Sequence, residues 1–86
     1  MDYALLLSSF AARHGAQPWS RQRLLHECLR EAIRDGRLAP GARLVATRAL
    51  AAELGVARNS VLYAYEQLAS EGYVSGSRRG TVVAAL

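Results

Sequence analysis

Arg58, Asn59 and Ser60 stand side by side, with Tyr63 one turn further on. Together these side chains offer hydrogen bonding to planar or anionic partners. Arginine pairs in bidentate fashion with guanine O6 and N7, and asparagine with adenine N6 and N7. Serine reaches either a base or a phosphate, and backbone amides at a helix start favour a phosphate. Bond-making chemistry has no comparable support. The sequence holds no paired carboxylates, no nucleophile with a base beside it and no phosphate-cradling loop, so it does not read as an enzyme. His14 and His26 are isolated, and the single cysteine, Cys28, has no disulfide partner, so no set has metal-ligand spacing. Cys28 falls beside Leu24, Leu25 and Leu29 on an apolar helix face and reads as a small core residue.

For these side chains to act, they must stand at the exposed start of a braced helix. Residues 47–66, TRALAAELGVARNSVLYAYE, supply that arrangement. A periodic stretch with Leu50, Ala51 and Leu54 meets Gly55, and a second with Val61, Tyr65 and Leu68 follows. The sharp turn between them calls for a residue tolerant of positive φ. Small Ala51 permits close helix crossing, and Val61 has the phase to pack back onto it. The spacing predicts helices over about 47–54 and 58–71, the second stopped by Gly72. At 100° per residue, Val61, Tyr65 and Leu68 gather on the core side of the second helix, and Asn59, Tyr63, Glu66 and Ser70 on the other. In a helix-turn-helix the start of this second helix enters the DNA major groove. Glu66 repels phosphate and belongs beyond the contact zone. The competing account of Asn59 and Ser60 is helix-start chemistry alone.

Upstream, Ser20 is placed to cap a helix running to about Asp35, with an apolar stripe at 24, 25, 28, 29, 32 and 33. Arg23, Glu27, Arg30, Glu31 and Arg34 occupy its other face, with Glu27/Arg30 and Glu31/Arg34 at i,i+3 spacing. Residues 3–13 form a further short helix with Leu6, Phe10 and Ala11 on one side. His14 to Pro18 break it, so 1–18 read as an appendage and linker before a domain over 19–86. The appendage is too apolar to float, and its own domain, a second copy or a missing part of a longer protein would each cover it. Pro40-Gly41 marks a turn, with a short strand over Arg43 to Val45. Tyr73-Val74 and Thr81 to Val83 flank a glycine-bearing loop and read as a hairpin with Arg78 and Arg79 at its tip. The fold class that follows is mainly α with a small β-hairpin: a winged helix-turn-helix with a three-helix core and a two- or three-stranded wing.

Eighty-six residues make one domain, and a chain this short buries only about 60% of its unfolded surface. The net charge is +4 and the pI about 10.0. All eleven basic residues are arginine, the better bidentate ligand for phosphate and guanine. The balance favours a polyanionic partner, although a GC-rich genome alone would also enrich arginine. The longest apolar run, Tyr3 to Leu7, is too short to span a membrane. Asp2 stands where a secretory signal carries basic residues, so the expected location is cytoplasmic.

The segment from Leu24 to Ala84 resembles the DNA-binding domain of GntR-type bacterial transcription regulators. The strings EAIRDGRLAPGARL, TRALAAELGVARNSV, AYEQLASEGYV and RGTVV carry that resemblance. NSVLYAYEQLASEGY and MDYALLL are most similar to its MocR-like branch. The resemblance implies sequence-specific double-stranded DNA binding, with the 58–71 helix in the major groove and the 75–81 wing on the backbone or minor groove. It implies a DNA contact at Arg48, and wing contacts from Arg78, Arg79, Gly80 and Thr81, beside Arg58, Asn59, Ser60 and Tyr63. It also implies no cofactor in this chain, with pyridoxal phosphate in a C-terminal domain of a longer parent. It further implies two operator half-sites bound by a homodimer, paired through missing regions or through residues 1–13. The sequence departs from the family at Val45-Ala46 and at Ala57, where polar helix caps are usual, and its wing loop is about one residue short. Thr47 is the expected substitute cap for the 47–54 helix. The rival reading is a winged helix that binds protein, which would lose the basic recognition helix and wing kept here.

Overall fold

The computed structural model describes residues 1–15, 17–77 and 80–85. Four helices and one hairpin follow in order: α1 Tyr3–Arg13, α2 Arg21–Arg34, α3 Thr47–Leu54, α4 Arg58–Ser70, β1 Val74–Ser77 and β2 Gly80–Val83. This is the winged helix-turn-helix expected from the sequence.

The core forms where the apolar stripes meet. Leu25, Cys28, Leu29, Ala32 and Ile33 of α2, Leu50 and Ala51 of α3, and Val61, Ala64, Tyr65 and Leu68 of α4 are all buried in one cluster. Leu24, expected in the stripe, is half-buried at its edge. Burial pushes the Cys28 thiol up to about 12, so it stays protonated and inert, as a core residue should. The Tyr65 hydroxyl donates to the Val45 carbonyl at 2.6 Å, which ties α4 to the loop before α3. Burial raises the Tyr65 pKa, keeping that donor protonated.

α1 docks on its own chain. Tyr3, Leu6 and Phe10 enter the shared core, and α1 packs against both α2 and α3. Ala11 lies only half-buried. Asp2 caps α1 by accepting from the Leu5 amide at 3.0 Å, and the Tyr3 amide donates to Glu53 Oε2 at 3.2 Å. Of the three covers open to the appendage, the structure therefore uses the first. Phe10, His14 and Trp19 stack beneath the linker.

The two helix ends that set the site follow their glycines. Gly55 takes φ +66 after α3, and the Val56 and Gly55 amides donate back to the Ala51 and Ala52 carbonyls. Gly72 takes φ +82 after α4, with Tyr73 and Gly72 donating to Leu68 and Ala69. Both patterns are Schellman closures. α4 ends at Ser70, one residue before the expected end. β1 and β2 pair antiparallel in the register Val74↔Val83 to Ser77↔Gly80. The expected third strand contracts to one bridge, Arg43↔Val82. Hydrogen bonds from Leu44 to Thr81 and from Val83 to Ala42, both 2.8 Å, hold it against β2.

Candidate nucleic-acid interface

Crossing α3 over α4 brings their N-termini together. Arg58 Nε donates to Thr47 Oγ1 at 3.3 Å, so the first residues of both helices share one edge. Arg48, Arg58 and Asn59 are exposed there, and Ser60 is half-buried. Thr47 does not cap α3. The cap position falls on Ala46, and Thr47 is the first helical residue, with its hydroxyl turned to Arg58. Ala57 holds the same position for α4, in extended conformation and without a side-chain cap. The leading amides of both helices thus lack the side-chain acceptor that would otherwise satisfy them, which suits a phosphate.

Tyr63 departs from its expected freedom. It is half-buried, and its ring meets the edge of His26 at 6.4 Å between centroids and 88° between planes. His26 on α2 is buried and lies with Nε2 2.7 Å from Glu71 Oε1. Tyr63 therefore presents part of its surface to solvent while α2 braces the rest. Glu66 is exposed, a turn and more beyond Arg58. At the wing, Gly80 has φ +110 and Thr81 is half-buried, its carbonyl accepting from Leu44. Arg78 and Arg79 lie outside the described residues.

One groove of about 340 Å³ joins the wing to the helix pair. Arg43, Ala46, Thr47, Gly80 and Thr81 line it, with Tyr65 beneath. Arg43 and Thr47 were not among the side chains picked out by motif. The available signal was an arginine two residues after the Pro40-Gly41 turn, and its meaning depends on pairing with Val82, 39 positions away.

Arg13, Arg30 and Arg37 pair with Glu27, Glu31, Asp35 and Glu71 on the α2 side. The expected Glu27/Arg30 pair forms. Glu31 instead reaches Arg13 of α1 at 2.7 Å and Arg37 at 3.0 Å, because the docked α1 and the loop after α2 present closer partners than Arg34. Hydrogen bonding from Arg13 holds the Glu31 carboxyl below its ordinary pKa, and Arg37 does the same for Asp35. Among the described residues, no acid pairs with Arg43, Arg48 or Arg58. No group of three or more His, Cys, Asp or Glu among them could hold a metal, and no helix is long and apolar enough to cross a membrane.

Comparison with known proteins places this arrangement. Residues 22–83 match the gntR family of bacterial regulatory proteins. The regulator TauR of Rhodobacter capsulatus is 43% identical over 83 residues, covering 95% of this chain and 17% of that protein. The probable rhizopine catabolism regulator MocR of Rhizobium meliloti is 48% identical over 70 residues, covering 80% of this chain and 14% of that protein. The chain thus spans about one-sixth of such relatives. Among solved structures, YtrA from Sulfolobus acidocaldarius, a GntR-family transcription factor, superposes with a TM-score of 0.77 at 31% identity, covering 81% of this chain and 74% of that one.

Proposed function

This chain belongs to the gntR family of bacterial regulatory proteins and is similar to MocR-like regulators; from that premise we propose that it is the winged-helix DNA-binding domain of such a regulator and that the shared start of α3 and α4 is its DNA-reading edge. The observation that carries this reading is the gathering of acid-free Arg48 and Arg58 beside two uncapped helix starts. Arg58, Asn59 and Ser60 enter the major groove and select bases. Arg48 and the leading amides neutralise phosphates. Tyr63, braced by His26, contributes its exposed edge. Arg78, Arg79, Gly80 and Thr81 lie along the backbone or minor groove, whose negative potential attracts arginine.

Tyr3, Leu6 and Phe10 of α1 are spent within the chain while Leu5 stays exposed, so pairing of two copies on two half-sites would use the outer face of α1 or regions of a longer parent. Such a pair would span about one helical turn or a multiple. A longer parent would carry an effector domain and act in the cytoplasm. The resemblance puts pyridoxal phosphate in that parent, and these residues do not fit it. The chain has no lysine, the residue through which proteins bond that cofactor. The cofactor would therefore lie outside these 86 residues.

Selection from a random duplex pool, followed by anisotropy titration on the selected site, tests the reading. Arg58→Ala should weaken that site by ~1–3 kcal/mol and relax preference at one base pair. An isotherm that does not move would remove Arg58 from the interface.

A further inference from the structure

Resting on that DNA-binding reading, we propose that Arg43 is a further phosphate-binding residue, which holds a DNA strand in the groove between the wing base and the start of α3. Its backbone is pinned to β2 by the Val82 bridge and by the flanking Leu44 and Ala42 hydrogen bonds, so its side chain springs from a fixed point. That side chain runs along the wing base, with Cδ 3.9 Å from where a Cβ at position 80 would stand. That is an ordinary van der Waals distance, so the arginine stem lies against the start of β2. The groove it enters reaches Ala46 and Thr47, the cap and first residue of α3, and no acid lines it among the described residues. On the other flank, Arg43 borders a groove containing Glu53, but Glu53 accepts from the Tyr3 amide and forms no ion pair with Arg43.

An exposed guanidinium between the wing and an uncapped helix start, on a pinned backbone, presents its donors to one phosphodiester. A phosphate contact positions the strand and carries no base preference. Arg43 therefore links recognition by α4 to recognition by the wing, fixing the wing's register on the duplex.

Titration of the chain with a labelled random-sequence duplex at several salt concentrations tests this. Each phosphate contact adds about 0.9 to the slope of log K against log salt. Arg43→Gln should lower the slope by about that amount, so that between about 50 and 200 mM salt it loses roughly 3.5-fold less affinity than the parent chain. Arg43→Lys should restore the slope, and thermal melts should show all variants folded. Arg48→Gln serves as the reference. A slope changed by Arg48→Gln and unchanged by Arg43→Gln overturns the proposal alone. Slopes unchanged by both overturn the DNA-edge reading with it. A loss for Arg43→Gln that Arg43→Lys does not restore assigns the residue a structural role and also overturns the proposal.

Discussion

The two ends of this small domain use the same residue type for opposite purposes. On the α2 side, arginines 13, 30 and 37 are tied to carboxylates, and α1 and α2 begin under side-chain caps from Asp2 and Ser20. On the α3–α4 side, Arg48 and Arg58 find no acid among the described residues, and both helices begin at alanines without a cap. The first region has spent these three arginines in folding, although Arg21, Arg23 and Arg34 of α2 also have no acid partner among the described residues. The second has left its hydrogen-bonding capacity open, at some expense in helix stability, for a partner to complete. An arginine tied to Glu31 or Glu71 would have to give up its ion pair before meeting a phosphate, whereas Arg48 has no such pair among the described residues to give up. Exposure alone does not distinguish the two classes, since Arg13 is exposed as Arg48 and Arg58 are.

The largest test of this contrast lies in the paired region. Glu71 holds both buried His26, at 2.7 Å, and Arg30, at 3.1 Å, joining the end of α4 to α2. His26 is only 6% exposed, so removing its partner leaves a polar ring desolvated. Glu71→Ala should cost about 1–3 kcal/mol of stability in urea unfolding. Its DNA salt slope should stay unchanged under conditions where the domain is folded. If the variant instead keeps full stability and loses DNA affinity, the division into a building end and a binding end fails.

A smaller test works on the open region from within. Ala57 sits at the cap of α4 with φ −64 and ψ 142, the extended geometry from which serine reaches the amides of the first turn. Ala57→Ser should gain about 1 kcal/mol of stability. That gain corresponds to about 4–8 °C in Tm for a domain of this size. Equal melting temperatures for the two proteins would mean that the α4 amides are already satisfied, and that this helix start is not the vacant one described above.

The sequence made the elements legible where the signal was local. Periodicity put α1 and α3 at their observed bounds, Ser20 marked the start of α2, and Gly55 and Gly72 marked the ends of α3 and α4. The exposure of Arg48 and Asn59 followed from helix phase in the same way, and that of Arg58 from its place at the helix start. What stayed hidden was set by distant pairing. His26 looks isolated along the chain because Glu71 is 45 residues away. Tyr63 sits on the outward face of α4 by its angle, yet α2 crosses close enough to brace it. Thr47 has the right chemistry for a cap but is one residue late, and its hydroxyl meets Arg58 instead. Helical spacing offered Arg34 to Glu31, but it could not weigh Arg13, which arrives only because α1 docks on the same chain. Arg43 gains significance solely from its bridge to Val82.

The smallest expected effect tests whether the paired end is held by charge at all. The folded-state pKa of Glu31 is lowered chiefly by its hydrogen bond from Arg13, and that of Asp35 by its hydrogen bond from Arg37. A carboxylate depressed in the folded state contributes stability above its unfolded pKa, near 4, and loses it as pH falls through the lower folded value. Both groups face solvent, so salt screens most of the effect. The urea midpoint should therefore fall modestly as pH drops from about 5 toward 3, by less than the change made by Ala57→Ser, and the fall should shrink at high salt. Glu31→Gln should flatten part of this pH dependence without altering DNA affinity at neutral pH, because its arginine partners lie on the α2 side and not on the open edge. A Glu31→Gln variant that bound DNA more tightly would show that Arg13, once freed, can join the interface, since Arg37 keeps its pair with Asp35. The two ends would then differ in how their arginines are occupied and not in where they stand.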